Sequence, residues 1–222
     1  MKPKLILGNI NYSSWSIRAL LTTRIATYAC DEVVVPLGEP GTRETVIAET
    51  GQHRVPALVL DGLVIHDSLA ITEWVAEQSP PGSVWPQDPI ARARARALCA
   101  EMHGNFVELR THLGMNIRAR HLSWPDRAPL HEEIARIVEI WTETRDQFGH
   151  EGSFLFGDWS AADAFYAPVV TRFRTYDVPL SGTAKDYSDA VLAHPVMRAI
   201  EVAAEAEPWQ IDTTKFAPAQ AD

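Results

Sequence analysis

The sequence predicts an α/β domain followed by an all-helical domain, and three observations carry that prediction. Short apolar runs bounded by turn residues alternate with helical patterns over the first 79 residues. Within that stretch an Asp61-Gly62 pair divides two β-rich runs, a hairpin signal because Asp-Gly tolerates the positive φ that a two-residue turn needs. Beyond residue 89 strand signals vanish and apolar residues recur by threes and fours.

Leu5-Ile6-Leu7, closed by Gly8-Asn9, reads as a short buried strand. Ser13 or Ser14 then offers an N-cap to a helix whose apolar face is Ile17, Leu20, Leu21 and Ile25. Val33-Val34-Val35, stopped by Pro36, is the second strand; Arg43 to Glu49 reads as either a short helix or an irregular turn. Val55 to Leu60 is the third strand and Leu63-Val64-Ile65 the fourth. A helix starts at Asp67-Ser68 with Leu69, Ile71, Trp74 and Val75 facing inward. The order is βαβ, the open segment, then ββα.

Ser79-Pro80-Pro81-Gly82 ends that helix, so the first domain spans 1–79, a linker 80–89, and the helical domain 90–222. Asp88 is an N-cap and Pro89 sits at the first helical position, where its missing N–H costs nothing. Leu98, Met102, Phe106, Leu109 and Leu113 share the spacing of one long helix face, and Ile134, Ile137, Val138 and Trp141 that of the next.

A formal charge of −9 argues against nucleic-acid backbones and anionic membranes as partners. The apolar run near the N-terminus is too short for a signal segment or a membrane span, and with only two cysteines, Cys30 and Cys99, a cytoplasmic location is expected. The eight histidines show no metal-ligand spacing, so no metal site is expected.

Three junctions carry chemistry. Ser13 and Ser14 stand where a helix begins, among free N–H groups and the positive end of the helix dipole. A hydroxyl there can donate to a bound thiolate and lower a thiol pKa from about 8.5 toward neutrality, although an N-cap alone accounts for the same serines. Val55-Pro56 opens a strand, a position proline tolerates. Were that peptide cis, the Val55 backbone would be offered to an extended peptide ligand. Asp67-Ser68 begins a helix, where N–H groups and a hydroxyl suit a carboxylate and the Asp67 side chain suits an ammonium. Together they match an α-amino acid head group, while a helix cap explains the pair on its own.

A helix-start serine, Val-Pro about forty residues on and Asp-Ser a dozen further, inside this element order, resembles the layout of the glutathione transferase family over nearly the whole chain. The resemblance implies a thioredoxin-like first domain, an all-helical second domain and a homodimer acting in detoxification. Ser13-Ser14-Trp15-Ser16-Ile17-Arg18 is similar to the zeta-class serine motif, with Trp15 where that class carries cysteine. Phe156 to Asp163 resembles the helical-domain signature, in which Ser160 and Asp163 form a structural capping box.

Carried over, the resemblance makes Ser13 the thiol-stabilising hydroxyl, with Ser14 and Ser16 as rivals. Val55 and Pro56 would hold the cysteinyl backbone, Asp67 and Ser68 the γ-glutamyl head, and His53 or Arg54 the glycine carboxylate. Arg54 stands where zeta members usually have glutamine; Arg18 is expected to brace the domain interface. Met115, Asn116 and Arg118, placed near the end of the first long helix of the second domain, are candidates for the wall of an electrophile pocket. His103 on that helix reads as a surface histidine, with a place facing a partner subunit's site as its alternative. The implied activity is attack of the glutathione thiolate on a small electrophile, with glutathione as co-substrate. Two alternatives stand beside it: glutathione-dependent isomerisation of maleylacetoacetate or maleylpyruvate, and a non-catalytic scaffold on the same fold.

Overall fold

The computed structural model describes residues 2–211; residues 212–222, assigned from sequence to the helical domain, lie outside the described part. The first domain runs β1 (Lys4–Leu7), α1 (Ser14–Ile25), β2 (Asp31–Val34), α2 (Thr42–Thr50), β3 (Ala57–Leu60), β4 (Leu63–His66) and α3 (Ser68–Glu77). Its sheet has the order β2-β1-β3-β4, with β1 parallel to β2 and antiparallel to β3, and β3 antiparallel to β4. This is the thioredoxin-like arrangement expected from the βαβ–ββα order.

Alternation of side chains along β1 gives the sheet two covered faces. Leu5 and Leu7 join the large core beneath α1 and α3, whereas Ile6 points the other way and packs with Val35 and Val46 of the α2 side. The open segment at 43–49 is thus resolved as a helix. Its ends are marked by Gly41 (φ 82°) and Gly51 (φ 66°), left-handed positions that suit glycine. Strand boundaries differ from expectation by one residue at β1 and β4 and by more at β2 and β3. β2 spans 31–34, so Val35 leaves the ladder yet stays buried, and β3 starts at Ala57 because Pro56 has no N–H to give a neighbour.

The helical domain comprises α4 (Pro89–Gly104), α5 (Val107–His112), α6 (Ala128–Phe148), α7 (Ala161–Thr175), α8 (Gly182–Ala193) and α9 (Pro195–Ala206). As expected, Asp88 caps α4, accepting from Ile90 and Ala91 N–H at 3.0 and 2.8 Å. The expected single long helix is in fact two. α4 stops at Gly104 and Phe106 adopts a left-handed backbone (φ 61°) before α5 begins. The Arg110 guanidinium bonds the freed carbonyls of Met102, His103 and Asn105, which gives three of the carbonyls at the break a donor. Leu98, Met102, Phe106, Leu109 and Leu113 are all buried despite the break. Residues 114–121 therefore form a non-helical connection, not the end of a helix.

The capping box of α7 forms. The Asp163 carboxylate accepts from the Ser160 N–H (2.8 Å) and hydroxyl (3.0 Å), and its other oxygen takes the Leu155 N–H (3.1 Å). The α7 helix is buried along nearly its whole length and packs against α1, so the two domains share one core. Among the described residues no helix is long and apolar enough to cross a membrane.

Candidate active site

The turn between β1 and α1 is built from side-chain and backbone bonds that leave little slack. Ser13 is the N-cap of α1: its Oγ accepts from the Ser16 N–H at 3.3 Å and lies 2.8 Å from the Ser16 Oγ. The Ser16 hydroxyl in turn accepts from the Gly8 N–H at 2.9 Å. A side chain on Gly8 would sit 2.6 Å from a Leu37 methyl and 3.2 Å from the Ser13 Cβ, so glycine there lets the turn close. Ser13 lines a cavity of about 700 Å³. Ser14 is not among the lining residues; its Oγ accepts from the buried Arg172 Nη2 of α7 at 3.1 Å, which makes it part of the domain interface.

The other two junctions come to the same region. The Val55-Pro56 peptide is cis, and Val55 lies two residues before the first residue of β3, outside the paired strand. Asp67 caps α3, its Oδ1 accepting from the Leu69 N–H at 2.8 Å, with a left-handed φ of 84°. Ser68 behind it is 1% exposed, and its Oγ has no hydrogen-bond partner among the described residues. Pro56, Asp67 and Ser68 line a second cavity of about 490 Å³, and Trp15, His53, Arg54 and Val55 line both cavities. Volumes of this size are those of ligand clefts.

Trp15 stands between the two. Arg18 and Arg110 place their guanidinium carbons 4.4 and 5.2 Å from its ring centroid, the geometry of cation–π contacts. Arg18 is fully buried and reaches Phe165 of α7 at 5.1 Å, so it braces the domain interface as expected. Burial, with Arg172 and Arg110 nearby, pulls its pKa down to about 9. Burial likewise pulls Arg172 down to about 10. The cluster of positive charge has no carboxylate bonded to it among the described residues at Arg18 or Arg172. Burial pushes both Cys30 and Cys99 up, which leaves neither as a reactive thiolate.

Met115, Asn116 and Arg118 are not brought together with the other site residues. Met115 is buried in the core. The Asn116 Oδ1 accepts from Asn11 Nδ2 at 2.9 Å, and Arg118 donates to the carbonyls of Glu207 and Trp209 (both 2.8 Å) and to the Tyr12 hydroxyl (3.2 Å). The polar groups of Asn116 and Arg118 are thus spent on the loop ahead of Ser13 and on the segment after α9. Glu207 completes the clamp, its carboxylate accepting from the Ile10 and Asn11 N–H groups at 2.6 and 3.0 Å.

Two residues were missed from the sequence. Glu207 gives no local signal, since its partners are nearly two hundred residues away. His103, read as a surface residue, lines the second cavity, and its Nε2 lies 3.1 Å from the Asp67 Oδ2. It faces the candidate site of its own chain. Among the described residues no group of three or more His, Cys, Asp or Glu is arranged to hold a metal ion.

Comparison with known proteins places this geometry. The chain is 27% identical over 195 residues to a probable maleylacetoacetate isomerase of Caenorhabditis elegans, covering 82% of this chain and 88% of the relative. Its fold matches the holo structure of a maleyl pyruvate isomerase described as a zeta-class bacterial glutathione S-transferase (TM-score 0.68, 22% identity, 92% of this chain and 99% of the other). It also matches a glutathione transferase homologue from Burkholderia gl BGR1 solved with bound glutathione (TM-score 0.64, 21% identity, 93% and 100%). Family models of the glutathione S-transferase N-terminal domain, over residues 7–83, and C-terminal domain, over residues 91–200, take in most of the sequence, and the chain belongs to the glutathione S-transferase family.

Proposed function

We propose that this chain binds glutathione across the two adjoining cavities and activates its thiol with the Ser13 hydroxyl for attack on a small electrophile. One observation carries the reading: Ser13 stands at one cavity, Asp67 and Ser68 at the other, and Val55 lines both. An extended tripeptide with its γ-glutamyl head at Asp67 and Ser68 passes Val55, whose backbone pairs with it as a strand edge would. Its thiol then reaches Ser13, and its glycine carboxylate the side of His53 and Arg54. The homologue solved with bound glutathione supports this ligand.

At the thiol, the Ser13 hydroxyl, which donates to Ser16 Oγ in this structure, turns its one proton to the sulfur, while the Ser16 N–H holds the Ser13 oxygen from the other side. The dipole of α1 and the buried arginines add positive potential. The thiolate sulfur then forms the new bond to an electrophilic carbon. Either a leaving group departs with the bonding pair, or an activated double bond takes up the pair and a solvent proton. Asn116 and Arg118 act in this reading by bracing the turn that carries Ser13, and Met115 by packing in the core. The protein works as a homodimer in the cytoplasm.

A second reading, glutathione-dependent cis–trans isomerisation, is favoured by relatives that carry the names maleylacetoacetate isomerase and maleylpyruvate isomerase. There the thiolate adds to the double bond, the adduct rotates and the thiolate leaves. Trp15, in place of the cysteine of the zeta-class motif, favours conjugation. Parallel assays with a halogenated aromatic acceptor and with the two maleyl isomers separate the readings. Calorimetric titration with glutathione tests their common premise: binding in the micromolar to millimolar range is expected, and no binding at millimolar ligand leaves a scaffold without turnover.

A further inference from the structure

We infer that His103, supplied by the helical domain, is a positioning residue that holds Asp67 for the ammonium of the bound γ-glutamyl head. The inference rests on the glutathione reading above. Asp67 is partly exposed at a helix start, where a lone carboxylate samples several rotamers. Here both oxygens have a neighbour: Oδ1 accepts from the Leu69 N–H at 2.8 Å, and Oδ2 lies 3.1 Å from His103 Nε2. An imidazole nitrogen at this distance confines the carboxylate without the permanent charge of a lysine or arginine. Such a charge at the same point would neutralise the carboxylate and compete with the ligand's ammonium.

The ring is itself held. It meets Trp15 edge-on with centroids 5.1 Å apart, and Trp15 is fixed by the two arginines already described. The backbone carbonyl of His103 accepts from Arg110 Nη2 at 3.2 Å, which anchors the end of α4 to the same cluster. The cavity then presents the complement of an α-amino acid head. Asp67 is the acceptor for its ammonium, and the buried Ser68 hydroxyl, unpartnered among the described residues, is a donor for its carboxylate. Ordering of the head-group end thus depends on a residue from the other domain, through a chain of contacts that runs Asp67–His103–Trp15 back to the serine turn.

The test is calorimetric titration of wild-type, His103→Phe and His103→Gln proteins with glutathione and with its analogue lacking the γ-glutamyl amino group. Phenylalanine keeps the ring against Trp15 and removes the nitrogen that faces Asp67; glutamine keeps a polar group there. Wild-type protein should prefer glutathione over the amino-free analogue by about tenfold or more, the worth of a charge-assisted bond. His103→Phe should weaken glutathione about 3- to 30-fold and leave the analogue unchanged, erasing most of the preference, while His103→Gln retains part of it. Equal weakening of both ligands, or of neither, overturns the role of His103, as does a wild-type protein that binds glutathione without preference for the amino group. A wild-type protein that binds neither ligand overturns the glutathione reading, and this inference with it.

Discussion

Among the three serines of the turn, the structure separates by partner what the sequence leaves equivalent. Ser13 reaches a cavity, Ser14 answers to Arg172, and Ser16 stands behind Ser13. Substitution should sort them the same way. Ser13→Ala should lower turnover by about ten- to a thousandfold while glutathione still binds, because the donor acts on developing charge. Ser14→Ala should leave turnover within about threefold and cost about 1–2 kcal/mol of stability, since it strands one buried Arg172 N–H. Steady-state kinetics and denaturant melts of the two proteins check both, and the opposite ranking would move the chemistry to Ser14. Ser13 itself is legible as a helix-start hydroxyl. Its separation from Ser14 is not, because Arg172 lies 158 residues away and no local pattern links them.

Elements were legible where local chemistry dictates them. The Asp61-Gly62 hairpin, the Asp88-Pro89 helix start and the Ser160–Asp163 box all appear as read. The break between α4 and α5 was not legible: the apolar spacing continues through it, and only Gly104-Asn105 hints at a stop. The box invites a direct test. Asp163→Ala leaves the Leu155 N–H and the Ser160 N–H and hydroxyl without their acceptor in the core. It should destabilise the protein by about 2–4 kcal/mol, measured by chemical denaturation. Burial also pushes the Asp163 carboxyl up to about 6, against about 3.9 in an unfolded chain. The folded state therefore holds this proton more tightly, and the group's contribution falls as pH rises from about 4 to about 6, then levels off. The stability advantage of wild type over Asp163→Asn should shrink across that window; an advantage that grows instead would show the carboxylate is the favoured buried form.

On the scale of the whole molecule, the helical domain holds the turns of the first domain that carry Ser13 and Asp67. Asn116, Arg118 and Glu207 clamp the loop ahead of Ser13, Arg172 holds Ser14, and His103 holds Asp67. None of these ties is visible in sequence, since each joins segments far apart whose local patterns say nothing of one another. Glu207→Ala removes two charge-assisted bonds to Ile10 and Asn11. Amide hydrogen exchange at those two positions should quicken by about tenfold or more, with exchange in β3 unchanged; unaltered protection would mean the clamp is not what orders the turn. In the proposed function these ties serve one property, the ionisation of a thiol at Ser13. The pH titration of thiolate ultraviolet absorbance for glutathione bound to wild-type and Ser13→Ala proteins measures it directly. The expected result is a bound-thiol pKa near neutrality in wild type, returning toward the free value of about 8.5 or above in the variant. A bound thiol that titrates like free glutathione in the wild-type protein, or identically in both, would contradict the account.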